Sequence, residues 1–173
     1  MHYFFQTKQQ QGYSVIELVI YLALFALLSI AIINALIIAM KSFAEVKTMR
    51  TLASTASLTM ERMSREIRGA QSIDTAGSTF DVNPGVLTLN TQDGSGAARI
   101  VVFDVVSGAL RLKENGVVTG TLTDAHESIS SLIFRKVTTP VGTAVKIEMT
   151  ITNTSGVVIT RNFYDTVVVR GEY

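Results

Sequence analysis

The chain has no cysteine, and only two prolines and two histidines among its 173 residues. Without cysteine it can form neither a disulfide staple nor a thiol nucleophile, although that absence by itself locates no compartment. His2 and His126 are too few and too scattered for a metal site of the usual ligand spacing. Motifs that carry chemistry are missing as well: there is no Gly-x-x-x-x-Gly-Lys-Ser/Thr, no Gly-x-Ser-x-Gly and no His-Glu-x-x-His. The loop Asp93-Gly94-Ser95-Gly96 has no helix behind it to hold a phosphate, and no loop is dense enough in acids for a hard cation. Asp124 and Glu127 flank His126 in what reads as a solvated turn between strands. No catalytic residue, metal or cofactor is expected. The absence with the largest consequence is that of charge: from Leu18 to Met40 there is no Asp, Glu, Lys or Arg.

That uncharged run, about 23 residues at roughly 1.5 Å each, makes a helix of about 35 Å, enough to cross a hydrocarbon core of about 30 Å. A short polar leader, Gln6 to Gln11, precedes it and ends at Gly12. A secretory signal is cut after its apolar region and loses it; a cut after Gly12 retains it. Glu17 sits near the start of this run. A charge inside hydrocarbon costs on the order of 3 kcal/mol and calls for a partner, such as an amine.

Gly12-Tyr13-Ser14-Val15-Ile16-Glu17, followed by an apolar run of spanning length, resembles the processing motif of type IV pilins and type II secretion pseudopilins. The resemblance implies that a prepilin peptidase cuts between Gly12 and Tyr13 and methylates the new amino group of Tyr13. It also implies that Glu17 pairs with the N-terminal amine of a neighbouring subunit in a helical filament. The ending Phe163-Tyr164-Asp165-Thr166-Val167-Val168-Val169-Arg170-Gly171 is similar to that of J-type minor pseudopilins and favours a minor subunit.

Within the apolar helix Ala31, Ala35 and Ala39 recur every four residues. They give one face on which a neighbouring backbone can approach closely, or reflect ordinary anchor composition. Asn34 occupies the place where many major pilins have a helix-breaking proline. It bonds a neighbouring helix, marks local melting, or is internally bonded. Beyond Met40 the chain turns polar but keeps a helical stripe of Met49, Ala53, Ala56, Met60, Met63, Ile67 and Ala70, with spacings of 4, 3, 4, 3, 4 and 3. Glu61 with Arg65, and Arg62 with Glu66, stand one turn apart. With no proline from Gly12 to Gly69, the pattern predicts one continuous helix of about 55 residues ending near Gly69.

From Ile73 onward the apolar period is two. Strands are expected at Val86–Leu89, Arg99–Val106, Ala109–Lys113, Val117–Leu122, Ile129–Thr138, Ala144–Thr152, Val157–Tyr164 and Thr166–Arg170, with turns at Ser107-Gly108 and Asn115-Gly116 among others. Val145, Ile147, Met149 and Ile151 alternate with Lys146, Glu148, Thr150 and Thr152, giving one buried and one wet face. The stripe from Met49 to Ala70 supplies the cover that the apolar face needs. The expected fold is α+β: a leader over 1–12, a membrane or filament-core helix over 13–40, its amphipathic continuation over 41–72, and an antiparallel β head over 73–173.

Residues 73–173 carry eight Lys and Arg against ten Asp and Glu, so no nucleic-acid partner is supported. Lys41, Lys47 and Arg50 put more positive charge after the apolar run than Lys8 puts before it. Orientation therefore comes from the resemblance alone. It implies a single pass through the cytoplasmic membrane, N-terminus inside and head outside, and as partners the prepilin peptidase, other pilin or pseudopilin subunits and the inner-membrane assembly platform. The expected function is that of a minor pilin or pseudopilin in a filament for secretion, adhesion, motility or DNA uptake. The alternative is a single-pass protein whose external β-domain is a binding module. A membrane-anchored enzyme would need a clustered site that the sequence does not display.

Overall fold

The computed structural model describes residues 14–140 and 142–172. The chain divides into two compact units, Met1–Phe43 and Ala44–Tyr173. One helix, α1, runs uninterrupted from Val15 to Gly69, and Asn34 does not break it. Ser14 opens it by accepting the Glu17 and Leu18 amides at 2.9 and 3.2 Å. It ends where the Gln71 N–H leaves the helical ladder for the Asn90 carbonyl at 2.8 Å.

In the larger unit α1 packs its last five turns against β-structure. Leu52, Ala56, Met63 and Ile67 are fully buried, each large side chain contributing about 1.5–3 kcal/mol of apolar burial. The stripe differs from the expected one at its start: Leu52 is buried, whereas Ala53 is exposed and Met49 half-buried. Both Leu52 and Ala53 fit helical spacing to Ala56, and the larger side chain takes the inward position.

The head contains two antiparallel meanders. The first is five-stranded, ordered β1-β2-β3-β4-β5, from Ser72–Ile73, Leu87–Gln92, Ala98–Val106, Ala109–Glu114 and Val117–Thr121. The second is three-stranded, ordered β6-β7-β8, from Glu127–Thr139, Gly142–Asn153 and Thr160–Val168. Ser107-Gly108 and Asn115-Gly116 make tight hairpins with φ of 52° and 79°, and 50° and 83°, the left-handed pair that matches strand twist. Along β7 the alternation is complete, with Val145, Ile147, Met149 and Ile151 buried between half-exposed neighbours.

The C-terminal segment corrects the expectation of two strands broken near Asp165. It is a single strand, β8, in unbroken register with β7 from Ala144↔Val168 to Thr152↔Thr160. Asp165, a residue that favours turns, is held in mid-strand because the Ser64 hydroxyl of α1 donates to its Oδ2 at 2.5 Å. Beyond β8 the chain passes the end of α1 so closely that a Cβ on Gly171 would fall within 2.6 Å of three Gln71 backbone atoms. Only glycine fits that crossing.

Polar side chains of α1 bind both sheets. The Thr59 hydroxyl donates to the Leu122 carbonyl at 2.9 Å. Glu66, buried on the helix, accepts Arg62 at 2.8 Å and Arg99 of β3 at 2.5 Å, and Arg99 reaches Glu114 of β4 at 3.1 Å. The Glu61–Arg65 and Arg62–Glu66 pairs are both present. That Glu66 turns inward to Arg99 is not visible in the helical spacing, which marks it only as the partner of Arg62.

Carboxylates held by basic neighbours give the head a pH dependence. On the outer face of β7, hydrogen bonds from Arg135 and Lys146 bring the Glu148 carboxyl from 4.5 down to about 2. Burial opposes ionisation of Asp104, but hydrogen bonds from Arg111 and Lys113 outweigh it and hold the carboxyl below its ordinary range. A depressed folded-state pKa stabilises above the unfolded value and loses that contribution as pH falls through the folded one. The head's thermal midpoint should therefore drop between pH 4.5 and about 2. Glu148→Gln should flatten the slope, as checked by thermal melts across that range; an unchanged slope would contradict the pairing.

Candidate functional site

Glu17 lies in the first turn of α1, half-exposed. One turn on, the Tyr21 hydroxyl donates to its Oε1 at 2.8 Å, while Oε2 has no hydrogen-bond partner among the described residues. Sequence reading had missed Tyr21, although a phenol four residues after an acid on a helix is the spacing that brings the two together. The phenol softens the isolation of the carboxylate without neutralising it, so one oxygen is left for a cation.

At 100° per residue, Tyr21, Ala31, Ala35 and Ala39 all fall within about 40° of Glu17 around the helix axis. The acid and the small residues thus share one face. Around the rest of the axis the segment presents apolar side chains in every direction: Phe25, Leu22, Ile30 and Leu27, about 80°, 140°, 220° and 280° from Glu17, are each more than half exposed. A helix apolar all round belongs in lipid or among other helices. By length and composition, α1 can cross a membrane. Gly12 and Tyr13, the expected processing pair, lie outside the described residues.

Among the described residues no three His, Asp or Glu side chains gather around a possible metal ion. In the Asp93–Ala97 loop the Asp93 Oδ1 accepts the Ser95 and Ala97 amides and the Ser95 hydroxyl. These bonds, with the one from Ser95 foremost, hold its carboxyl below the ordinary range; that oxygen is spent on shaping the loop. The turn at Asp124–Glu127 is solvated at Asp124, Ala125 and His126, as expected, but not at Glu127. Glu127 is buried, its Oε2 accepts the Asp124 amide at 3.4 Å, and its Oε1 has no hydrogen-bond partner among the described residues. Starting a long strand places Glu127 inward, where the turn sequence alone gave no such signal. No family model, curated protein or solved structure matches this chain.

Proposed function

We propose that the protein is a non-catalytic subunit of a type IV filament, a minor pilin or pseudopilin that assembles through α1. The observation that carries this reading is the single carboxylate at the head of the uncharged stretch of α1 from Leu18 to Met40, with one oxygen unbonded among the described residues and a strip of alanines on the same face. The partner of that carboxylate is the amine of Tyr13 on a neighbouring subunit, made when the peptidase removes residues 1–12. Neutralising two charges in an apolar bundle recovers the several kcal/mol each would cost alone. It also sets the axial offset between neighbours, because only one offset lets them meet. Ala31, Ala35 and Ala39 allow helix axes to approach at that offset.

In this reading the head faces away from the cytoplasm, and the inner-membrane assembly platform loads the subunit from the membrane. The rival, a solitary membrane-anchored binding module, gives no role to an acid at position 17. Shearing filaments from cells and collecting them by centrifugation distinguishes the two. The protein should appear in the filament pellet with sibling subunits; its recovery in the membrane fraction alone would favour the rival.

A further inference from the structure

The three-stranded sheet ends in a long open edge. The Val169 N–H bonds the Thr143 carbonyl and the Asn153 N–H bonds the Ile159 carbonyl, both at 2.9 Å. Because β7 and β8 keep one register between those points, the odd-numbered residues of β8 spend their backbone groups on β7. The even-numbered ones, Thr160, Asn162, Tyr164, Thr166 and Val168, turn theirs outward. Thr166 is blunted, since its N–H is taken by the neighbouring Asp165 Oδ1 at 2.8 Å. Among the described residues nothing covers the outward amides of Asn162 and Tyr164. On the opposite edge of the same sheet, by contrast, the Leu132 and Phe134 carbonyls are capped by the Gly85 and Asp81 amides at 2.7 and 2.9 Å.

Beside this edge runs a groove of about 820 Å³ between β8 and α1, with Met60 and Phe163 among its walls and Arg65, Arg68 and Arg170 around it. Tyr164, at 64% exposure, stands at its side. The acids present are already engaged. Glu61 is paired with Arg65 at 2.9 Å, and Asp165 accepts from Ser64 and the Thr166 amide. Arg68 and Arg170 have no anionic partner among the described residues, and neither has Arg161, which shares the inward face of β8 with Phe163 and Asp165.

We propose that the β8 edge takes up an extended, acidic segment of another protein as an added strand. Its backbone would bond the free groups of Asn162 and Tyr164, while acids at alternate positions meet Arg68 and Arg170 in the groove. Backbone pairing supplies affinity in such additions and the side-chain alternation supplies selectivity. The excess of unpaired arginines sets the sign of the partner.

The test uses the full chain in detergent micelles and three probes: an acetylated, amidated peptide of four Glu-Val repeats, its Lys-Val counterpart, and a single-stranded oligonucleotide. The Glu-Val peptide should bind and slow amide hydrogen exchange at Asn162 and Tyr164, with the Lys-Val peptide at least about tenfold weaker. Arg68→Glu with Arg170→Glu should weaken the Glu-Val peptide by a similar factor. Tyr164→Pro, which removes an outward N–H and no bond to β7, should abolish the protection. No binding, equal binding of the two peptides, binding without protection at these amides, or preference for the oligonucleotide would each overturn the proposal.

Discussion

Glu17→Ala should leave the protein in the membrane and remove it from filaments, with recovery in the sheared pellet falling by about tenfold or more while the cellular amount is unchanged. The size of the effect follows from what is left behind. The variant keeps the apolar run from Leu18 to Met40, so insertion is unaffected or slightly easier. A neighbour's amine, however, would then enter an apolar bundle without a counter-charge, at a cost of several kcal/mol. Glu17→Gln separates charge from hydrogen bonding: it can still accept from Tyr21 but cannot neutralise an ammonium, so it should resemble Glu17→Ala. Tyr21→Phe removes only the phenol that donates to Oε1 and should assemble nearly as the wild type does. Normal incorporation of Glu17→Gln would show that shape alone suffices at this position.

The second large effect is expected in the head. Phe134 is fully buried on the inner face of β6, and Phe134→Ala should destabilise the head by about 3–5 kcal/mol through lost burial and the cavity left behind. For a unit of this size that corresponds to a fall in thermal midpoint of roughly 10–20 °C. Thr152→Ala, on the outer face of β7, should cost less than about 1 kcal/mol. Differential scanning calorimetry of the protein in micelles measures both. A loss at Thr152 as large as that at Phe134 would contradict the assignment of inward and outward faces.

Much of this architecture is legible in residue order because the two periodicities are strong. The absence of proline from Gly12 to Gly69 and the stripe through Ala56, Met60, Met63 and Ile67 predicted the one long helix that runs from Val15 to Gly69. The alternation of Val145 with Lys146 and of Ile147 with Glu148 predicted the two faces of β7. What stayed hidden depends on contacts distant in sequence. Asp165 looks like a strand breaker until Ser64, on another element, holds it within β8. Glu66 looks like half of a surface pair until Arg99 reaches it from β3. The division into two sheets is equally silent in the pattern, since every hairpin turn looks alike whether the strands flanking it continue one sheet or begin another. At Glu17 the acid itself was conspicuous, while the Tyr21 hydroxyl that holds one of its oxygens was masked by the apolar context, in which a tyrosine reads simply as hydrophobic.

The filament account depends above all on a new amine being made at Tyr13, and the mass of the N-terminal peptide from protein isolated from its own cells tests this most directly. A chain that begins at Tyr13 and carries one added methyl group is the predicted result. A chain that still begins at Met1, or one cut on the far side of Met40 so that the apolar helix is lost, would contradict it.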